Sequence, residues 1–296
     1  MRAEASVEAG TGTRLERVGR RHGLRGPWVL REVGLTLPAA SLVRIVGANG
    51  TGKSTLLRLL AGIDAPTEGS ITGRPARTAY VPERFPAALP FTAADYLVHL
   101  ARIQGAGRTA ARTRAAEWLE RFGAADHART PLAELSKGTS QKVAVAQALL
   151  ADPDLLVLDE AWTGLDTGAR AELDGAVRER LAAGATVVFV DHDPRRLAGE
   201  ADAVHAVEAS RVREVRETAA NTQGPLVRIT ASGGRPLPAR LPGDPVTAPA
   251  PDGAGPGTRT GTLVLTVDAA HSDALLGVLL AASWHVHHLD SEGVRV

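Results

Sequence analysis

The chain has 296 residues, with 34 Lys and Arg against 33 Asp and Glu, a net charge of +1 and no cysteine. That length supports one sizeable α/β core plus a smaller piece. The balanced, scattered charge does not favour nucleic acid as a partner, and the missing cysteines exclude a disulfide framework or a thiolate metal site.

Residues 1–12 include Glu4 and Glu8 and no apolar run, so they do not read as a secretory signal, and a cytoplasmic protein is expected. The arginines between positions 14 and 25 read as a solvated face. Residues 41–46, Ser-Leu-Val-Arg-Ile-Val, form an apolar run that passes into a glycine-rich stretch and then into residues 53–60, which have helical character. Buried-strand runs recur at 78–81, 155–158 and 186–190, separated by helical segments such as 139–151 and 168–183. Strands alternating with helices predict an α/β fold with a mostly parallel, covered sheet. Between the second and third of these strands lies a mainly helical insert with its best helices at 93–103 and 112–122, expected to form a lobe over about 84–138. The main domain is expected to span 13–218. Residues 231–261 are dense in Pro, Gly and Ala, so 219–261 reads as linker or irregular chain. After it, 262–267 alternates like a strand, 271–281 suits a helix and 284–289 a further strand, which predicts a small α+β appendage over 262–296. The longest apolar stretch, 275–284, is well short of the roughly 20 residues a membrane-spanning helix needs.

Gly47-Ala48-Asn49-Gly50-Thr51-Gly52-Lys53-Ser54 fits G-x-x-x-x-G-K-[ST] after a strand and at the opening of a helix. The glycines let backbone N–H groups curl around phosphate oxygens, and the helix N-terminus adds partial positive charge at the same point. Asn49, Gly50, Gly52, Lys53, Ser54 and Thr55 are therefore candidate nucleotide contacts, with Lys53 on the outer phosphates and the Ser54 hydroxyl on Mg²⁺. Asp159 ends the apolar run 155–158, placing a Mg²⁺-organising carboxylate at the C-terminal edge of a buried strand. Glu160 follows it and is the candidate general base for an attacking water.

Leu135-Ser136-Lys137-Gly138-Thr139-Ser140-Gln141-Lys142, upstream of that acidic pair, resembles the signature motif of the ABC ATPases. Alone, Ser-x-Gly before a helix is only an N-cap. Here the phosphate loop, the signature, the acidic pair, Gly164-Leu165-Asp166 and His192 occur in the family's order within residues 15–215. The resemblance implies a P-loop NTPase core with a helical signature lobe, ATP and Mg²⁺ as ligands, and a head-to-tail homodimer or heterodimer. In that dimer ATP would lie between the loop of one subunit and Ser136 and Gly138 of the other, with Asp166 linking the half-sites and His192 contacting the γ-phosphate and positioning Glu160. Glu83 stands where the family most often has Gln and is a further candidate Mg²⁺ ligand; His22, with Trp28 as the alternative, stands where many members stack an aromatic on adenine. Lys137 and Ala161-Trp162 are variations compatible with activity, and Trp162 equally suits packing.

The resemblance further implies a separate membrane permease docking near residues 83–91, with peripheral membrane association through that permease alone. The Ser-Lys-Gly signature, Glu83 and the appendage favour an exporter subunit by analogy. An importer subunit is the alternative, ahead of a soluble non-transport ABC ATPase and a non-hydrolysing scaffold. His285, His287 and His288 lack a carboxylate or cysteine at ligand spacing, so the appendage reads as regulatory or dimer-stabilising before it reads as a metal site.

Overall fold

The computed structural model describes residues 12–23, 26–85, 89–215, 226–234, 236, 241–249 and 262–291. The chain divides into two units, one of Met1–His192 and Arg196–Glu217, the other of Asp193–Arg195 and Thr218–Val296.

In the first unit β3 (Leu42–Val46), β5 (Thr78–Val81), β6 (Leu155–Asp159), β7 (Thr186–Val190), β8 (Ala203–Glu208) and β9 (Arg211–Val215) form a six-stranded sheet in the order β5-β6-β7-β3-β8-β9. All its pairings are parallel except β8 with β9. Every residue of β6 and β7 is buried, as a parallel sheet covered on both faces requires. Alternate side chains serve two cores. Leu42, Leu156, Leu158, Val187 and Phe189 face one, and Val43, Ile45, Leu155, Val157, Val188 and Val190 face the other, the period-2 alternation of a strand.

The second of these cores is closed by α1 (Lys53–Ala61), which buries Leu56, Leu57, Leu59 and Leu60, and by an antiparallel sheet of β1 (Arg14–Arg21), β2 (Trp28–Thr36) and β4 (Glu68–Thr72) in the order β2-β1-β4. The first is closed by α2 (Ala93–Ile103), α3 (Arg108–Arg121), α4 (Lys137–Leu149) and α5 (Thr167–Ala182). Each fully buried Leu contributes roughly 1.5–3 kcal/mol relative to exposure. Helix α3 begins four residues before the expected 112, because its first turn, Arg108–Ala111, buries only Ala111 and so gives little apolar periodicity. Helix α4 begins at Lys137 instead of 139, started by Ser136, whose side chain accepts a hydrogen bond from Thr139 N–H.

In the second unit β10 (Leu226–Ser232), β11 (Val246–Pro249), β12 (Thr262–Asp268) and β13 (His285–Ser291) make an antiparallel sheet in the order β11-β12-β10-β13, joined by α6 (Ala269–Ala281). Val227, Ile229, Ala231, Leu265, Val267, Leu275 and Leu279 are its core. The linker reading of 219–261 is corrected here: β10 lies inside this sheet and β11 at its edge. The alternation of Val227, Ile229 and Ala231 with polar neighbours is the strand signal that the surrounding Pro and Gly obscured.

Candidate functional site

Because β6, β7 and β3 are adjacent and parallel, their carboxyl ends open at one sheet edge, where ligands of such sheets bind. The loop after β3 supplies Gly47 to Gly52, the end of β6 supplies Asp159 and Glu160, and the end of β7 leads to Asp191 and His192. Two loop positions demand glycine. Gly47 has φ 148° and a Cβ there would stand 2.6 Å from Val207 O; Gly52 has φ 108° and caps α1 against Val29 and Leu30. No side chain caps α1, so its first N–H groups face the loop as donors for an anion.

Lys53 is buried and donates from Nζ to Gly47 O at 2.7 Å and Ala48 O at 3.0 Å. Burial lowers its pKa, while the charges of Glu160 and Asp159 pull it back up. Asp159, only 2% exposed, accepts from Ser54 Oγ at 3.2 Å on Oδ1 and from Tyr80 Oη at 2.9 Å on Oδ2. Burial raises the Asp159 pKa, with help from the nearby charge of Glu83, against the lowering effect of the Tyr80 and Ser54 hydrogen bonds. Burial beside that carboxylate likewise pushes the Tyr80 phenol up.

Glu160 adopts φ 52°, a left-handed conformation uncommon for a residue with a side chain. Its N–H donates to Val190 O at 3.0 Å, and its carbonyl accepts from Thr163 N–H at 3.0 Å, which fixes the turn. The side chain thereby reaches His192, with Nε2 2.7 Å from Glu160 Oε1.

An open pocket of about 270 Å³ gathers His22, Asn49, Gly50, Gly52, Lys53, Ser54, Thr55, Glu83 and Glu160, together with Val29. His22 lines it, whereas the alternative, Trp28, does not: the Arg21 guanidinium covers one face of its ring at 3.8 Å. Glu83 is half-exposed, with Arg84 4.0 Å away.

Ser136, Gly138 and Asp166 are not among the residues of this pocket. Ser136 caps α4, and a Cβ on Gly138 would stand 2.8 Å from Gly164 O. Asp166 caps α5 through Ala169 N–H at 2.9 Å and pairs with Lys142 Nζ at 2.6 Å; the Lys142 hydrogen bond lowers its pKa first of all.

Sequence reasoning missed Tyr80. The available signal was a tyrosine near the end of a half-buried strand, whose hydroxyl needs a partner. Trp162 is packing: it is 2% exposed, edge-on to Phe189 with centroids 5.8 Å apart, and donates to Asp174 Oδ1 at 2.8 Å. Among the described residues no group of three or more His, Cys, Asp or Glu is arranged to hold a metal. His285 and His287 lie edge to face, centroids 4.8 Å apart, with Ser232 Oγ 2.6 Å from His287 Nε2. No helix among the described residues is long and apolar enough to cross a membrane.

The chain matches the ABC transporter family over residues 30–163. It is 41% identical over 169 residues to the zinc import ATP-binding protein ZnuC of Cereibacter sphaeroides, covering 56% of this chain and 67% of that protein. It is 37% identical over 257 residues to the aliphatic sulfonates import ATP-binding protein SsuB of Pseudomonas putida, covering 83% of this chain and 92% of the relative. Among solved structures, an ATP-binding subunit of an ABC transporter aligns with TM-score 0.63 at 25% identity over 70% of this chain and 90% of its own. A dimeric ATP-binding cassette, MJ0796, in a post-hydrolysis state bound to ADP and Pi shares the fold at TM-score 0.61 and 23% identity, over 70% of this chain and 99% of its own. With the phosphate loop, the acidic strand end and the histidine gathered at one sheet edge, and relatives aligned over most of their length, the chain belongs to the ATP-binding subunits of ABC transporters, a family of ATPases.

Proposed function

We propose that this chain is the ATP-hydrolysing subunit of an ABC importer, working from the cytoplasmic face as one of a pair that closes on ATP and reopens after hydrolysis to drive a separate membrane permease. The importer reading replaces the exporter expected from the sequence, because the ZnuC and SsuB relatives bear import names. The features that favoured an exporter did so by analogy alone.

The observation that carries the chemistry is the 2.7 Å contact between His192 Nε2 and Glu160 Oε1 beside the phosphate loop. In this reading Glu160 takes the proton side of the attacking water, and His192 fixes its carboxylate and meets the γ-phosphate. Lys53 transfers its ammonium from the Gly47 and Ala48 carbonyls to the outer phosphates, and the uncapped start of α1 receives the rest of the phosphate charge. Mg²⁺ fits Ser54 and Asp159: both offer hard oxygen donors, their side chains are 3.2 Å apart, and a cation would offset the burial of the carboxylate. Bound there, it would neutralise phosphate charge as the terminal bond breaks. Glu83 is the further acid within reach, and His22 is the candidate for the base. Ser136 and Gly138, outside the pocket of their own chain, would complete the site of a second subunit, with Asp166 at the joint.

A groove of about 370 Å³ between the β5 edge and the helical lobe is lined by Ile63, Phe85, Tyr96 and Leu100 among others, and suits an amphipathic helix of the permease. Of the expected docking stretch 83–91, residues 86–88 lie outside the described residues.

The test is Mg²⁺-dependent ATP turnover of the purified protein and of Glu160→Gln, with size measured in ATP. Slow turnover by the wild type, and an inactive variant that dimerises on ATP, support the reading. Turnover by Glu160→Gln at the wild-type rate refutes the catalytic assignment. Import is checked by reconstitution with the permease: turnover that rises when solute is offered on the outer face supports it, and turnover driven only by solute on the ATP side overturns it.

A further inference from the structure

One charged cluster is left over from the site as described. Arg196 reaches Asp174 of α5 with Nη1 at 2.9 Å from Oδ2 and 3.2 Å from Oδ1. Its Nε lies 3.6 Å from Asp191 Oδ2. Asp174 Oδ1 also accepts the Trp162 indole N–H at 2.8 Å, and the guanidinium lies 5.3 Å from the centre of that ring. The arginine and both carboxylates are largely withdrawn from water, with side chains 13%, 19% and 10% exposed for Arg196, Asp174 and Asp191.

The chain positions of these groups give the cluster its meaning. Asp191 immediately precedes His192, and Trp162 is the second residue after Glu160. The backbones of the two strand ends are already joined by the Glu160 N–H to Val190 O bond. The cluster joins them a second time through side chains, with helix α5 as the anchor. One guanidinium serves two carboxylates, so its removal takes the shared cation from both at once, beside the loops that carry Glu160 and His192.

We infer that Arg196, Asp174 and Trp162 form a positioning clamp that holds Glu160 and His192 in register for hydrolysis, without touching the nucleotide. The inference rests on the catalytic reading of Glu160 and His192. None of the clamp residues lines the nucleotide pocket, so loosening the clamp changes the geometry of the reacting groups and leaves ground-state binding by Lys53 and Ser54 in place.

The experiment compares wild type, Arg196→Met, Arg196→Lys, Trp162→Phe and Glu160→Gln for ATP turnover and for the dissociation constant of a fluorescent ATP analogue. Arg196→Met is expected to lower kcat by about 10- to 100-fold while KM and analogue affinity stay within about threefold, the signature of misplaced but present catalytic groups. Arg196→Lys restores part of the loss, since one ammonium reaches one carboxylate and lacks the fork that serves two. Trp162→Phe keeps an aromatic ring in the core and removes the N–H together with part of the indole, so it serves if Arg196→Met does not fold, and it too lowers kcat at unchanged affinity. Wild-type kcat in a folded Arg196→Met or in Trp162→Phe, or a loss of affinity as large as the loss of kcat, overturns the clamp. If Glu160→Gln is inactive while the clamp variants are not, the clamp fails and the catalytic reading survives; if Glu160→Gln turns over normally, the catalytic reading fails and the clamp with it.

Discussion

Replacing Tyr80 by Phe removes one hydroxyl and leaves the ring. That hydroxyl donates to Asp159 Oδ2 at 2.9 Å, and Asp159 is 2% exposed, so water does not replace the lost donor. A hydrogen bond to a charged group contributes about 1.5–3 kcal/mol. Because the Ser54 hydroxyl still reaches Oδ1, the lower end applies, about 1.5 kcal/mol. For a unit of this size that lowers Tm by roughly 3–6 °C at neutral pH. The pH dependence has a definite sign. Burial already raises the folded pKa of Asp159, and Tyr80 is the first of the two bonds that oppose it. Without Tyr80 the pKa rises further, so the deficit is present while the carboxyl is ionised and shrinks as pH falls through the raised folded value toward the unfolded value near 3.9. Thermal unfolding measured from pH 8 to 4 reads the deficit and its pH dependence. An unchanged Tm at pH 7, or a deficit that grows on acidification, refutes the reasoning.

Three further outcomes follow from single contacts. Gly138→Ala places a Cβ 2.8 Å from the Gly164 carbonyl, so the start of α4 must shift; turnover is expected to fall about tenfold or more while binding of a fluorescent ATP analogue by the single subunit is unchanged. Burial holds the His205 pKa below its ordinary 6.5, partly opposed by Glu214 across the β8–β9 pair; the unfolded chain takes the proton first, so stability falls as pH drops through about 6.5, and His205→Gln flattens that fall in urea unfolding measured between pH 8 and 5. Leu279→Ala empties a fully buried position of the C-terminal core, and hydrogen exchange of the β10 and β12 amides should report a loss of about 2–5 kcal/mol.

The parts of the fold that could be read from the sequence are those whose signal is local. Strands β6 and β7 are unbroken apolar runs because both faces are covered, and the loop from Gly47 to Ser54 carries its own chemistry in consecutive residues. The antiparallel sheet escaped because β1 is crowded with arginine and shifts register against β2 between Leu15 and Val18 and again beyond it, which breaks the alternation. Strand β10 escaped because it sits at the edge of a Pro- and Gly-rich tract. In the site, Tyr80 meets Asp159 only because β5 pairs beside β6, and Trp162 meets Arg196 only because α5 supplies Asp174 between them. Such contacts are decided by strand order and helix packing, and residue spacing along the chain does not contain them.

The site also marks itself by local unfavourable terms. Glu160 holds φ 52°, Asp159 is a buried carboxylate with a raised pKa, and Lys53 is a buried amine with a lowered one. A left-handed non-glycine residue alone costs about 1–3 kcal/mol. Phosphate beside Lys53 and a divalent cation beside Asp159 would relieve two of the three at once, so the ligand should stabilise the fold chiefly as the Mg²⁺ complex. At a hundredfold excess over Kd the gain is about 2.7 kcal/mol, or roughly 5–11 °C in Tm for a unit of this size. ATP with EDTA, which supplies the phosphates and leaves Asp159 unrelieved, should give a smaller shift at equal concentration. Equal shifts with and without Mg²⁺ would mean that Asp159 gains nothing from the cation, and the assignment of Ser54 and Asp159 to Mg²⁺ would fall.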